Sequence, residues 1–164
     1  MLDWSTEQRE HPVAIRVPGA VIHGEKPTKD YGILNKYETV QKGSGAAIIA
    51  LGTFFGMGKQ AAELIEKKTG VKPTLINPVY ITGIDEELLE SLKKDHKAVI
   101  TLEDGILDGG FGEKIARFYG DSDMRTVNFG LKKEFLDRYD ANEVLRQNGI
   151  TPEQIADRAA ELIK

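Results

Sequence analysis

The chain has 164 residues, 40% of them hydrophobic and 29% charged, with a net charge of −4. That suits one compact domain with a core of its own and excludes a globally disordered chain. No Lys/Arg block marks a nucleic-acid surface, no apolar run approaches the roughly 20 residues of a membrane span, and the absence of cysteine rules out disulfides, thiolate nucleophiles and sulfur-ligated metals.

A cytoplasmic protein without membrane or nucleic-acid partners is therefore expected. The polar, acidic start at Met1-Leu2-Asp3-Trp4 does not read as a signal peptide. Within residues 1–45, residues 12–17 have strand composition. Around them stand turn formers and charges, among them Pro18, Gly19, His23, Gly24 and Pro27. This stretch has no core of its own and is expected to exchange its amides freely in isolation, Gly19–Asp30 included.

Regular patterning begins near Tyr37. Residues 37–42 are strand-like, and Gly43-Ser44-Gly45 forms a turn. The apolar run 46–51 suits a strand covered on both faces. Residues 52–58 are expected to be a loop. Residues 59–68 are expected to form a helix with Ala61, Ala62, Leu64 and Ile65 on one side and Gly70 as its stop. Residues 74–77 are the next strand, and Asp85 caps a helix running to about Lys94. Residues 98–102 are a third apolar strand, 109–119 a helix with Phe111, Ile115 and Phe118 one turn apart, and 124–129 a fourth strand. The end is helical. Asp140 with Glu143, and Thr151-Pro152-Glu153-Gln154, fit capping boxes. Strands alternating with helices imply an α/β fold on a mostly parallel sheet.

Most motifs argue against an active site. Gly52-Thr53-Phe54-Phe55-Gly56-Met57-Gly58-Lys59 lacks both the first glycine and the Ser/Thr of a phosphate loop, so Gly52 is expected to turn a strand tightly into a helix. Gly109-Gly110-Phe111-Gly112 follows a strand and opens a helix, where an anion could sit. Glu103, Asp104 and Asp108 just upstream would repel one, which favours close backbone packing at Gly109, Gly110 and Gly112. His11, His23 and His96 show no metal-ligand spacing, and Ser5, Ser44, Ser91 and Ser122 lack a nucleophile context. No catalytic, cofactor-binding or metal-binding residue is expected in this chain.

Six segments in order resemble one family. Pro12-Val13-Ala14-Ile15-Arg16-Val17-Pro18 resembles the strand that closes the pyrimidine-binding domain of deoxyxylulose-phosphate synthases, where the pattern is Arg-Tyr-Pro-Arg-Gly. Ala47-Ile48-Ile49-Ala50-Leu51-Gly52-Thr53 is similar to their "ALGT" turn, and Asn77-Pro78-Val79-Tyr80 through Asp85-Glu86 to "NARFVKPLDE". Thr101-Leu102-Glu103-Asp104 with Gly109-Gly110-Phe111-Gly112 resembles "TLEEN…GGFG". Phe129-Gly130-Leu131 with Phe135 resembles "LGLPDRF".

The resemblance implies a transketolase C-terminal domain, a three-layer α/β/α sandwich on a mixed sheet of about five strands, over residues 46–164. Residues 1–45 would be the tail of the preceding pyrimidine-binding domain plus a linker, so that the chain begins mid-domain as a fragment or split-gene subunit would. The implied parent is a homodimeric transferase of isoprenoid biosynthesis, using thiamine diphosphate and magnesium held by its N-terminal domains. This chain alone would bind neither and be inactive. Arg16 remains as a substrate or anion candidate, beside the reading that it makes a structural ion pair at the domain junction. Two arginines of the pattern are not carried over, because Gly19 and Val79 stand in their places. Alternatives are a transketolase, the β subunit of a 2-oxo acid dehydrogenase, and a non-catalytic binding module of the same fold.

Overall fold

The computed structural model describes residues 1–17 and 31–164. A short helix α1 (Leu2–Glu7) precedes the strands β1 (Glu38–Gln41), β2 (Gly45–Ala50), β3 (Thr74–Asn77), β4 (His96–Ile106) and β5 (Arg125–Leu131). Between and after them come α2 (Phe55–Thr69), α3 (Glu86–Leu92), α4 (Phe111–Tyr119), α5 (Ala141–Gln147) and α6 (Pro152–Leu162). The sheet runs β1-β3-β2-β4-β5; β1 lies antiparallel on β3 and the other four strands are parallel.

Strand periodicity divides the core. Ala47, Ile49, Ile76 and Val99 face one side, where α3 and α4 add Leu89, Leu92, Phe111, Ile115 and Tyr119. Ile48, Ala50, Leu75, Ile100 and Leu102 face the other, against Ala61, Ala62 and Ile65 of α2 and Ile155, Ala156 and Ala159 of α6. Both faces of β2 are covered, which is why its sequence reads as unbroken apolar residues rather than alternating ones. The three layers expected from the sequence are present.

Three local expectations are corrected. Residues 12–17 form no strand. Pro12 and Pro18 lack amide donors at the two ends of this run, and no described strand offers it a ladder. Residues 52–58 are not a loop. A 3-10 turn at Gly52–Phe54 passes directly into α2 at Phe55. A helical glycine costs about 1 kcal/mol relative to alanine, but Gly58 must be small. A Cβ there would lie 2.8 Å from that of Ala50, so the glycine is what lets α2 touch the sheet. Finally, β4 continues past Leu102 to Ile106, and the register to β5 shifts between Leu102 and Ile106. Pro18, Gly19, His23, Gly24 and Pro27, with the exchange expected across Gly19–Asp30, lie outside the described residues.

Residues 38–41, counted above with the linker, supply the edge strand of the sheet. Asp85 fixes that edge. Its nearly buried carboxylate accepts from Leu88 N at 3.1 Å, capping α3, and from Tyr37 N at 3.0 Å, just ahead of β1. The helix ends at Asp140 and Thr151 form as expected, but only halfway. Asp140 accepts from Glu143 N at 2.9 Å and Thr151 from Gln154 N at 3.3 Å. The return bonds are absent, because Glu143 turns to Arg146 and Gln154 donates to Arg146 O.

Candidate functional site at the carboxyl edge of the sheet

In open parallel sheets the place for a ligand is outside the carboxyl ends of the strands, where connections from neighbouring strands leave in opposite directions. Here that place lies between β2 and β4, since the chain goes from β2 to β3 on one side and from β4 to β5 on the other. The loops after these strands carry Gly52-Thr53 and Glu103-Asp104.

Side chains of the protein itself fill this place. Thr53 Oγ1 donates to Asp104 Oδ2 at 3.1 Å, and Arg16 Nη1 donates to Asp104 Oδ1 at 2.6 Å. Arg16 is two-thirds exposed, so the pair is worth about 0–1 kcal/mol. It nonetheless tethers the N-terminal segment to the sheet's carboxyl edge.

The amino end of α4 is also taken. Glu103 Oε2 accepts from Phe111 N at 2.8 Å, and Oε1 from Gly112 N at 3.2 Å. Burial pushes its carboxyl above the usual range, outweighing the downward pull of the two amide bonds. The acid expected to repel an anion therefore takes the anion's position. Gly110 and Gly112 are the close-packing points. A Cβ at Gly110 would lie 2.5 Å from Glu103 Oε2. One at Gly112 would lie 2.6 Å from Asn128 Cγ and 2.7 Å from Thr101 Oγ1, the latter two side chains being hydrogen-bonded at 2.8 Å. Gly52 and Gly109 serve differently, with φ of 48° and 72° and open space where a Cβ would stand.

One feature escaped the sequence reading. Val79 has φ 58°, a conformation that β-branched residues avoid. Tyr80 N donates to Pro78 O at 2.5 Å, a turn of the three-residue kind, and Val79 N donates to Asn77 Oδ1 at 3.2 Å. The Asn-Pro pair was the available signal, since it favours a turn. The turn borders a cavity of about 210 Å3 lined by Leu51, Pro78, Ile81 and Tyr31, with Met1 at its rim. Trp4 packs edge-on to Tyr80 at 6.2 Å, which brings α1 to the same edge.

The remaining polar candidates stand apart. His11 lies beside Glu10 at 3.9 Å. His96 is buried at the opposite edge, with Nε2 2.8 Å from Thr74 Oγ1, and His23 lies outside the described residues. The hydroxyls of Ser5, Ser91 and Ser122 bond carbonyls three residues earlier, in or just after helices. Among the described residues no group of three His, Asp or Glu could hold a metal. Magnesium diphosphate needs carboxylates and free amides converging on one point, and the α4 amides are already engaged by Glu103. The described residues do not fit that cofactor.

The family model described as the transketolase C-terminal domain matches residues 35–155. The chain belongs to that family. Curated 1-deoxy-D-xylulose-5-phosphate synthases from Shouchella clausii and Clostridium perfringens (strain SM101) are 31% and 32% identical to it. The matches cover 93% and 99% of this chain but 25% and 27% of those proteins. This transketolase C-terminal domain thus spans about a quarter of the length of the curated relatives it matches. A structure described as "Split gene transketolase, inactive beta4 tetramer" superposes with TM-score 0.69 at 22% identity, over 79% of this chain and 44% of that one. A Pichia stipitis transketolase in complex with sedoheptulose-7-phosphate gives TM-score 0.56 at 20% identity, over 79% and 18%. At these identities the two structures show the common fold.

Proposed function

We propose that this domain is the C-terminal part of a 1-deoxy-D-xylulose-5-phosphate synthase that joins pyruvate to glyceraldehyde 3-phosphate with loss of carbon dioxide. The observation that carries the reading is the synthase likeness over nearly the whole chain. In such an enzyme thiamine diphosphate supplies the electron sink. Its binding, with magnesium, falls to N-terminal thiamine-binding domains of the same enzyme, a cytoplasmic homodimer. Residues 46–164 form the body of the domain, the linker adds β1 (Glu38–Gln41) as its edge strand, and the rest of residues 1–45 is the tail of the preceding domain with its linker. The part left to this chain is to make dimer contacts and shape the substrate mouth. Its carboxyl edge supports that reading, because Arg16 and α1 are drawn there.

The decisive experiment combines the chain with the two thiamine domains of a synthase, with pyruvate and glyceraldehyde 3-phosphate supplied. Deoxyxylulose phosphate is expected from the assembly and none from the chain alone. Turnover by the chain alone, or an inert assembly, overturns the proposal. In the active assembly Arg16→Ala separates the two roles of that residue. A raised KM at unchanged kcat marks an anion contact, and unchanged kinetics with a small stability loss mark a tether.

The split-gene match favours a second form of the same reading, in which this domain is carried on a separate subunit. Ketol transfer between sugars by the assembly, without pyruvate decarboxylation, would make it a transketolase instead.

A further inference from the structure

The amino edge of the sheet, opposite the site above, holds a second cavity of about 740 Å3, within the size range of small-molecule sites. It opens where β4 and β5 begin and α3 and α6 end. Four cations line it: Lys93 after α3, Lys97 at the start of β4, Arg125 at the start of β5, and Lys164 beyond α6. In a chain of net charge −4 this gathering runs against the average, and it unites residues far apart in sequence.

Two of the four are committed. Lys93 Nζ pairs with Glu90 at 2.6 Å and lies 5.2 Å from the Phe118 ring. Lys97 Nζ donates to the main-chain oxygens of Ile163 at 3.3 Å and Lys164 at 3.0 Å. Two acids also border the cavity, and one of these, Glu161, is held by Arg158 at 2.7 Å. Asp123 is the other. That leaves the guanidinium of Arg125, the ammonium of Lys164 and the carboxylate of Asp123 without a side-chain partner among the described residues, two cations against one acid. His96 is buried at the floor, with Nε2 2.8 Å from Thr74 Oγ1, and Nδ1 3.1 Å from Leu92 O and 2.6 Å from Asp95 Oδ1.

A forked guanidinium and a point-charge ammonium lining one cavity, with the partly engaged Lys93 and Lys97 on the same wall, suit a tetrahedral dianion. We propose that this amino-edge cavity binds a phosphate dianion, either a phosphate monoester or the free ion. The site is separate from the carboxyl edge and independent of the synthase reading.

The test is a titration of the intact chain with inorganic phosphate and with glycerol phosphate, followed by amide chemical shifts at low salt. Saturable shifts at Lys97, Met124 and Arg125 are expected, weakening as salt rises. Arg125→Ala should weaken binding at least about fivefold, and Arg125→Lys less, because the charge stays and the fork is lost. Tighter binding of glycerol phosphate identifies a monoester site, and equal binding a site for the free ion. Lys164→Gln, at an exposed position, provides a second readout should Arg125→Ala disturb the fold. Three results overturn the proposal: no saturable shift with either anion; shifts centred on Gly52, Thr53, Gly110 and Gly112 instead; or affinity unchanged in both Arg125→Ala and Lys164→Gln.

Discussion

Glu103 and the glycines above it were each visible in the sequence, yet their relation was not. By sequence alone, the acids beside Gly109-Gly110-Phe111-Gly112 repel an anionic ligand. Only the fold shows that one of them bends back to cap α4 from the end of β4. Glu103→Gln preserves shape but sets an amide donor against one of the two backbone donors. An unfolding free energy lower by about 1–3 kcal/mol is expected in urea titrations. Gly112→Ala should cost about 1–3 kcal/mol by forcing apart the buried Thr101–Asn128 pair. Gly109→Ala, with open space around its Cβ, should cost only the strain of φ 72°, about 1 kcal/mol. Equal losses at the two glycines would contradict this division between crowding and conformation. At Val79 the Asn77-Pro78 pair signals a turn, but a lone valine gives no sign that the positive φ falls on it.

Among the elements, those whose cause is local were legible. The apolar runs of β2 and β4, the cap at Asp85 and the proline-led start of α6 all stand where composition and capping chemistry put them. Elements decided by distant contacts were not. Helix α2 takes in Gly56 and Gly58, which read locally as a loop, and Gly58 is tolerated because it meets Ala50; residues 12–17 find no partner strand among the described residues. Two predictions belong here. Asp85→Ala removes at once the α3 cap and the acceptor for Tyr37 N, so amide exchange should rise together in α3 and β1 while β2 and β4 stay protected. In α5, the Glu143 carboxyl is drawn from 4.5 down to about 2, chiefly by its hydrogen bonds from Arg146. A depressed acid stabilises its helix above its unfolded pKa. The contribution is therefore full above pH 4.5 and lost as pH falls toward 2. Acid titration of α5 amide shifts should show fraying in that window, reduced in Glu143→Gln and weaker at high salt.

At the scale of the whole molecule, the sandwich and its family were legible because six segments fall in order, whereas the location of a site was not. The switch point follows from the strand order β1-β3-β2-β4-β5, which no single segment encodes. The two edges of the sheet differ in a way that bears on self-association. On one side β1 is four residues long, and its register slips between Thr39 and Gln41, which blunts it as a template. On the other, β5 runs for seven residues with no described strand beyond it, followed by the exposed Phe135 and Tyr139. Any fibre or strand-swapped aggregate of this chain should therefore grow from the β5 border alone. Phe135→Lys, at a fully exposed position, or any other charge introduced on the exposed side of that border, would then protect the protein on storage far more than the same change along β1.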